Sequence, residues 1–332
     1  MMNARAKLRA CIHHSLFHLN TQPPMFIIVF TTEQIFIERL YMTIGNKHGL
    51  YSRQGLTATE LAEIKALADT CEAYEQLHMK LNWDTLRSRP QDQTNDFLYY
   101  ENDTLVGFLA FFSFNSLEGE VSGMVHPSYR RKGIFTRLFA LVRAECQRRG
   151  IPTLLLIVEH NSQSGQGFAA SLKSGYQHSE YKMALTEVKT LPELEPHLHL
   201  RQAKLEEAPI LAHITAVSFD LPERDVTWYG ERKLEDTKNK VYIALLDETY
   251  IGKLDVWLNE REAYIAGFGV LPPYRGHGYG RQILAQTIRE IRAMSQRTIV
   301  LEVATENKNA LSLYQSCGFQ EVSSYDYYSL SV

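Results

Sequence analysis

The phrase HPSYRRKGIF, His126–Phe135, returns as LPPYRGHGYG, Leu271–Gly280, at an offset of 145 (271 − 126). Pro127, Tyr129, Arg130 and Gly133 stand opposite Pro272, Tyr274, Arg275 and Gly278. The register holds beyond the phrase, Leu138 with Ile283, Val142 with Thr287 and Val158 with Val303. Gly175-Tyr176 then meets Gly318-Phe319 at 143 (318 − 175), a local change of length. Upstream, Asp96–Phe114 parallels Lys240–Leu258, each reading as strand, tight polar turn, strand. Order of elements and residues agree together, so the chain carries a duplicated domain. Two copies are too few for a solenoid, and two globular halves are expected.

A chain of 332 residues suits two such domains. The first is expected over 51–187 and the second over 199–332, joined by a polar, proline-bearing linker at 188–198. Residues 1–50 match nothing in the repeat. They read either as a mobile extension or as the product of a start upstream of the true one, with Met42 nearer the beginning. Each half reads as one or two helices, a hairpin, a strand, a glycine-bearing loop, an amphipathic helix, a strand, a short helix and a last strand. In the second half Ile283, Leu284, Ile288 and Ile291 mark one face of the amphipathic helix. This mixed order predicts an α/β (α+β) sheet with parallel and antiparallel pairs.

The formal charge of −3, from 35 basic and 38 acidic residues, speaks against nucleic acid as a partner. No apolar run reaches the roughly 18–20 residues of a membrane span, so no membrane partner is expected. Met25–Phe30 is too brief for a signal-peptide core. Cys11, Cys71, Cys146 and Cys317 lie far apart without metal-ligand spacing. They read as free thiols of a cytoplasmic protein, with no metal.

Arg275-Gly276-His277-Gly278-Tyr279-Gly280 falls between a strand and a helix. Glycines there let the backbone take positive φ and turn successive N–H groups toward one point. The helix start adds its unpaired N–H groups, which suit phosphate oxygens. The spacing G-x-G-x-G is not the dinucleotide fingerprint, and the Gly-Lys-Ser/Thr ending of a nucleotide triphosphatase loop is missing. A plain tight turn is the alternative.

Arg-x-x-Gly-x-Gly after V-x-P-x-Y resembles the GNAT superfamily of acetyl-CoA-dependent N-acetyltransferases. So does the later block of Asn307, Asn309, Ala310, Leu313, Tyr314 and Gly318-Phe319. The likeness spans about His199–Leu330 and, less closely, about Gly55–Leu185. It implies two tandem GNAT-type domains, each a mixed, mostly antiparallel sheet flanked by helices. It also implies acetyl-CoA as acetyl donor, a small-molecule or peptide amine as acceptor, and a monomer or homodimer. The tandem form resembles the mycothiol synthases, whose C-terminal copy does the chemistry.

Carried over residue by residue, the resemblance gives the coenzyme pyrophosphate to Arg275, Gly276, His277, Gly278, Tyr279 and Gly280. It gives the acetyl carbonyl and pantetheine arm to Phe268, Gly269 and Val270, where two glycines in a strand suggest a bulge. Asn307 and Asn309 either hold the cofactor's amide arm or cap the following helix. Tyr314 is the expected proton donor to the leaving thiolate, or else an aromatic packing residue. Glu302 is the expected base, through water. It lies across the strand from Leu301 and Val303, twelve residues before Tyr314 (314 − 302), a spacing used by the family branch that acetylates ribosomal-protein amino termini. Its alternative is a carboxylate facing water or a salt-bridge partner, and Glu262 is the reserve base.

In the first copy Phe135 replaces the last small residue of the loop, and Ser171 stands where the tyrosine should be. That half is therefore expected to be degenerate, kept for packing or for shaping the acceptor pocket. The expected function is acetyl transfer to a primary amine in the C-terminal half, the alternative a non-catalytic acyl-CoA sensor or scaffold.

Overall fold

The computed structural model describes residues 47–332 apart from 90, 114–116, 188 and 227–228. The extension expected over 1–50 lies outside the described residues up to 46. Its last residues belong to the sheet, because strand β1 is Gly49–Arg53 and pairs antiparallel with β2, Asp96–Glu101. A boundary at 50 therefore falls inside β1.

Helix α1, Ala58–Glu75, starts at a capping box in which Thr57 Oγ1 accepts from Glu60 N–H and Glu60 accepts from Thr57 N–H. After α2, Trp83–Ser88, β2 turns into β3, Thr104–Phe112, through Asn102 and Asp103. Both turn residues take positive φ, 48° and 67°, as a tight hairpin requires. Then follow β4 (Glu118–Val125), α3 (Ile134–Arg149), β5 (Thr153–Glu159), α4 (Gln163–Ser171) and β6 (Gly175–Leu185). The second copy repeats this with β7 (Leu198–Gln202), α5 (Ala208–Phe219), α6 (Glu231–Leu234), β8 (Asn239–Leu246) and β9 (Thr249–Leu258). It ends with β10 (Glu262–Val270), α7 (Tyr279–Met294), β11 (Thr298–Ala304), α8 (Lys308–Ser316) and β12 (Phe319–Ser331).

The two copies do not form separate sheets. Among the described residues twelve strands make one sheet in the order β1-β2-β3-β4-β5-β12-β6-β11-β10-β9-β8-β7. Each half has given its final strand to the other: β12 pairs with β5 of the first half, and β6 pairs with β11 of the second. The exchanged strands also pair with each other, from Phe319↔Leu185 to Ser329↔Gly175. β4/β5 and β10/β11 are parallel and the remaining pairs antiparallel. Among the described residues short β1 and β7 form the two edges, which limits edge-to-edge pairing.

Helices cover both faces. α1 and α2 bury Ile64, Leu67, Cys71 and Leu86 against Leu98, Phe108 and Phe112, while α3 buries Leu138, Val142 and Cys146 against the opposite face. In the second half α7 buries Leu284, Ile288 and Ile291 against Leu254, Val256 and Leu301. The face read from the sequence is the buried one. Gly318 anchors the exchange. Its φ is 100°, and a Cβ there would lie 1.9 Å from the Glu187 carbonyl oxygen, just past β6. Cys71, Cys146 and Cys317 are buried free thiols, and Cys11 lies outside the described residues.

Candidate active site

Both parallel ladders stop early. β4 and β5 pair from Glu118↔Thr153 to Val121↔Leu156, and β10 and β11 from Glu262↔Thr298 to Ile265↔Leu301. Beyond those points the two parallel partners no longer pair with each other, although each stays on its other neighbour, to Val125 and Glu159 in one half and to Val270 and Ala304 in the other. Two wedges result, each opening toward its glycine loop.

The loops are built alike. Arg130 Nε donates to the Val125 carbonyl at 3.1 Å, and Arg275 Nε to the Val270 carbonyl at 2.7 Å. These arginines thus fasten each loop to its strand. Gly276 and Gly278 take φ of 79° and 85°; Arg131 and Gly133 repeat this at 63° and 74°. Among the described residues no side chain caps the N-terminus of α3 or α7. The first-turn N–H groups therefore face the loop. A Cβ on Gly276 or Gly278 would meet nothing within 4 Å, and one on Gly280 would lie 3.6, 3.8 and 3.9 Å from the Leu313, Phe268 and Val270 side chains. These residues fit a diphosphate and the arm below it. His277 and Tyr279 stack side by side at the rim, with His277 Nδ1 2.9 Å from the Arg275 carbonyl. In the first copy Phe135 packs edge-on to Phe168 with ring centroids 4.6 Å apart, so an aromatic stands at the loop's end.

The strands beneath the loops differ. β10 breaks register with β9 between Ala266 and Gly269, and Gly267 takes φ of 52°. This is the bulge expected around Phe268, Gly269 and Val270. It turns backbone away from the ladder beside the wedge. Gly269 also lies against α5, where a Cβ would come 2.3 Å from Ser218 Oγ. β4 runs unbroken against β3 from Phe112↔Glu120 to Gly107↔Val125. Behind the bulge, fully buried Lys253 donates to Asp255 Oδ1 at 2.7 Å and bonds the Tyr229 hydroxyl. Burial pushes its ammonium down, and Asp255 opposes that.

Glu302 is the first β11 residue past the paired ladder, and Lys80 Nζ lies 2.6 Å from its carboxylate. The structure thus supplies the salt-bridge partner weighed as the alternative. Glu262 stands at the closed end of the ladder and bonds Lys182 at 2.8 Å. Tyr314 is buried on α8 and lies edge-on to Phe319 at 6.1 Å. Burial pushes its phenol up to about 12, so it keeps its proton at neutral pH. Asn307 is occupied as a cap, its Oδ1 accepting from Ala310 N–H at 3.1 Å, and Asn309 is exposed.

The larger cavity described, 540 Å³, lies in the first half rather than the second. It runs from Arg130 and Gly133 past Phe135 and Phe168 to Lys80 and Tyr325. Sequence reasoning also missed the polar row on the sheet face below Lys80. Glu120, Tyr327, Glu180, Glu302 and Tyr264 come from β4, β12, β6, β11 and β10. No motif links them, because the strand exchange brings them together.

The model of the Acetyltransferase (GNAT) family matches residues 60–173 and again 204–319. A mycothiol acetyltransferase of Mycolicibacterium smegmatis is 26% identical over 289 residues, covering 81% of this chain and 94% of that protein. The uncharacterized N-acetyltransferase YycN of Bacillus subtilis is 44% identical over 62 residues, 19% of this chain and only 40% of that protein. Among solved structures, a GCN5-related N-acetyltransferase from Sphaerobacter thermophilus shares the fold at TM-score 0.71 and 17% identity, over 85% of this chain and 95% of that one. A tandem GNAT protein from the clavulanic acid biosynthesis pathway does so at 0.65 and 17%, over 85% and 98%.

Proposed function

Because the chain belongs to the Acetyltransferase (GNAT) family and is an acyltransferase in tandem form, we propose that it moves acetyl from acetyl-CoA to a primary amine in its C-terminal wedge. The observation that carries this choice is the break in β10 at Ala266–Gly269, which β4 lacks. Acetyl-CoA, when bound, supplies an activated acetyl group as a thioester. The N–H groups of the 275–280 loop and the start of α7 hold its diphosphate, and Arg275 fixes that loop to Val270. Backbone N–H freed by the bulge at Phe268–Val270 polarises the acetyl carbonyl as its oxygen gains charge. Glu302 takes a proton from the amine through water. Tyr314, kept neutral by burial, gives its proton to the departing sulfur. Glu302 is preferred to Glu262 because it lies at the open end of the ladder.

A second reading concerns the first half: its 540 Å³ cavity and its Arg130 clamp suit acyl-CoA binding without transfer. Ser171 donates there to the Phe168 carbonyl, at the position Tyr314 holds in the second copy. A thiol-release screen with polyamines, aminoglycosides, amino acids and peptide amino termini tests the function. Amine-dependent release is expected. Acetyl-CoA binding without release toward any amine would instead mark a sensor or scaffold.

A further inference from the structure

Lys80 sits between α1 and α2, in the first half, yet its ammonium is spent on the second half and on the exchanged strands. It donates to Glu302 Oε2 at 2.6 Å, to the Tyr327 hydroxyl at 2.6 Å and to Glu180 Oε2 at 3.2 Å. Tyr327 in turn donates to Glu180 Oε2 at 2.7 Å, which closes the group. The side chains of Lys80 and Glu302 are only 13% and 14% exposed, so water does little to screen this pair. Burial by itself pushes the ammonium down; Glu302, Tyr327, Glu180 and Tyr264 outweigh it and hold it well above the usual lysine range.

Other titratable groups face the same point. Glu120 on β4 is pushed up to about 7 by burial, with Lys80 opposing. The phenol of Tyr264 on β10 is pushed up by burial and by Glu302. The Tyr325 ring lies 5.7 Å from the ammonium, and His178 stacks on Tyr327 with Nε2 3.8 Å from Glu180. One ammonium therefore stands between two close carboxylates, Glu302 and Glu180. Without it they would repel, and each buried carboxylate would lose its opposite charge. Lys80 bonds Oε2 of Glu302.

We propose that Lys80 is a positioning residue for the transfer reaction of the second half: a lysine from the first half fixes the Glu302 carboxylate where the C-terminal wedge begins to open and balances its charge. This rests on the reading of Glu302 as the base. It also gives the first half a task that needs no catalysis of its own, since the second site is incomplete without it.

The test measures thiol release with the amine panel across pH for wild type, Lys80→Met, Lys80→Arg, Lys80→Met/Glu180→Gln and Glu302→Gln, with acetyl-CoA binding by calorimetry and thermal melts alongside. Lys80→Met is expected to lower kcat by about 10- to 100-fold. The acetyl-CoA KM should stay within about twofold, because uniform coenzyme binding is untouched. The acid limb of kcat should move to higher pH, since a nearby positive charge has gone. Lys80→Arg should recover most of the rate. The double variant removes the second carboxylate, so it should fold where the single variant does not and still turn over slowly. Wild-type rate and pH profile in Lys80→Met or in the double variant, beside an inactive Glu302→Gln, would overturn the inference alone. A faster Lys80→Met would overturn it too, making Lys80 a competitor for the amine's place. Normal turnover in Glu302→Gln, or no acetylation of any panel amine, would remove the underlying reading and this inference with it.

Discussion

Glu207 shows what a single carboxylate does for the fold. Only 3% exposed, it accepts from Arg201 at 2.6 and 2.8 Å, from the Tyr250 hydroxyl at 3.0 Å and from Lys204 N–H at 2.8 Å. Hydrogen bonding from Arg201 leads in pulling its carboxyl from 4.5 to about 2, against burial. A depressed carboxyl stabilises fully above the unfolded value and loses that contribution as pH falls through the folded one. Glu207→Gln should therefore cost about 1–3 kcal/mol at neutral pH. In urea titrations the gap between wild type and variant should shrink as pH falls from 4.5 toward about 2. Gly318 makes a second case at this scale. Gly318→Ala should destabilise by about 1–3 kcal/mol, from its positive φ and the Glu187 carbonyl in the way. Gly175→Ala, whose Cβ would meet only Ser329 Oγ at 3.8 Å, should be nearly neutral in the same denaturation experiment.

Elements with a local signal were legible from the sequence. The apolar stripe on α7, the Asn-Asp and Asp-Glu hairpin turns and the paired glycines of β10 each act over a few residues, and each is found. Asn307 and Glu302 were legible only as alternatives, because a cap and a ligand contact, or a base and an ion-pair member, demand the same side chain. The loop–helix junction yields a direct prediction. Gly280→Phe would give the second copy the aromatic that Phe135 gives the first. Since a Cβ at Gly280 meets only ordinary contacts, the fold should survive. The acetyl-CoA KM should rise roughly tenfold or more, about 1.4 kcal/mol of lost coenzyme binding, with the melting temperature held. An unchanged KM would mean that the small residue is not needed for the diphosphate.

At the scale of the whole molecule, duplication was readable and the strand exchange was not. β6 and β12 present the same alternation of faces whether they pair within their own half or across it, so the residue pattern cannot choose between the two. The polar row of Lys80, Glu180, Glu302 and Tyr327 depends on that choice and was hidden with it. The exchange makes one sheet of two copies, and it brings Lys80 of the first half against Glu302 of the second. Everything proposed for this protein depends on chemistry at the C-terminal wedge with Tyr314 as proton donor. Steady-state turnover of Tyr314→Phe, with acetyl-CoA affinity measured on the same preparation, tests it most directly. The expected result is a fall in kcat of about 100-fold or more with coenzyme affinity kept, and wild-type turnover in that variant would contradict it.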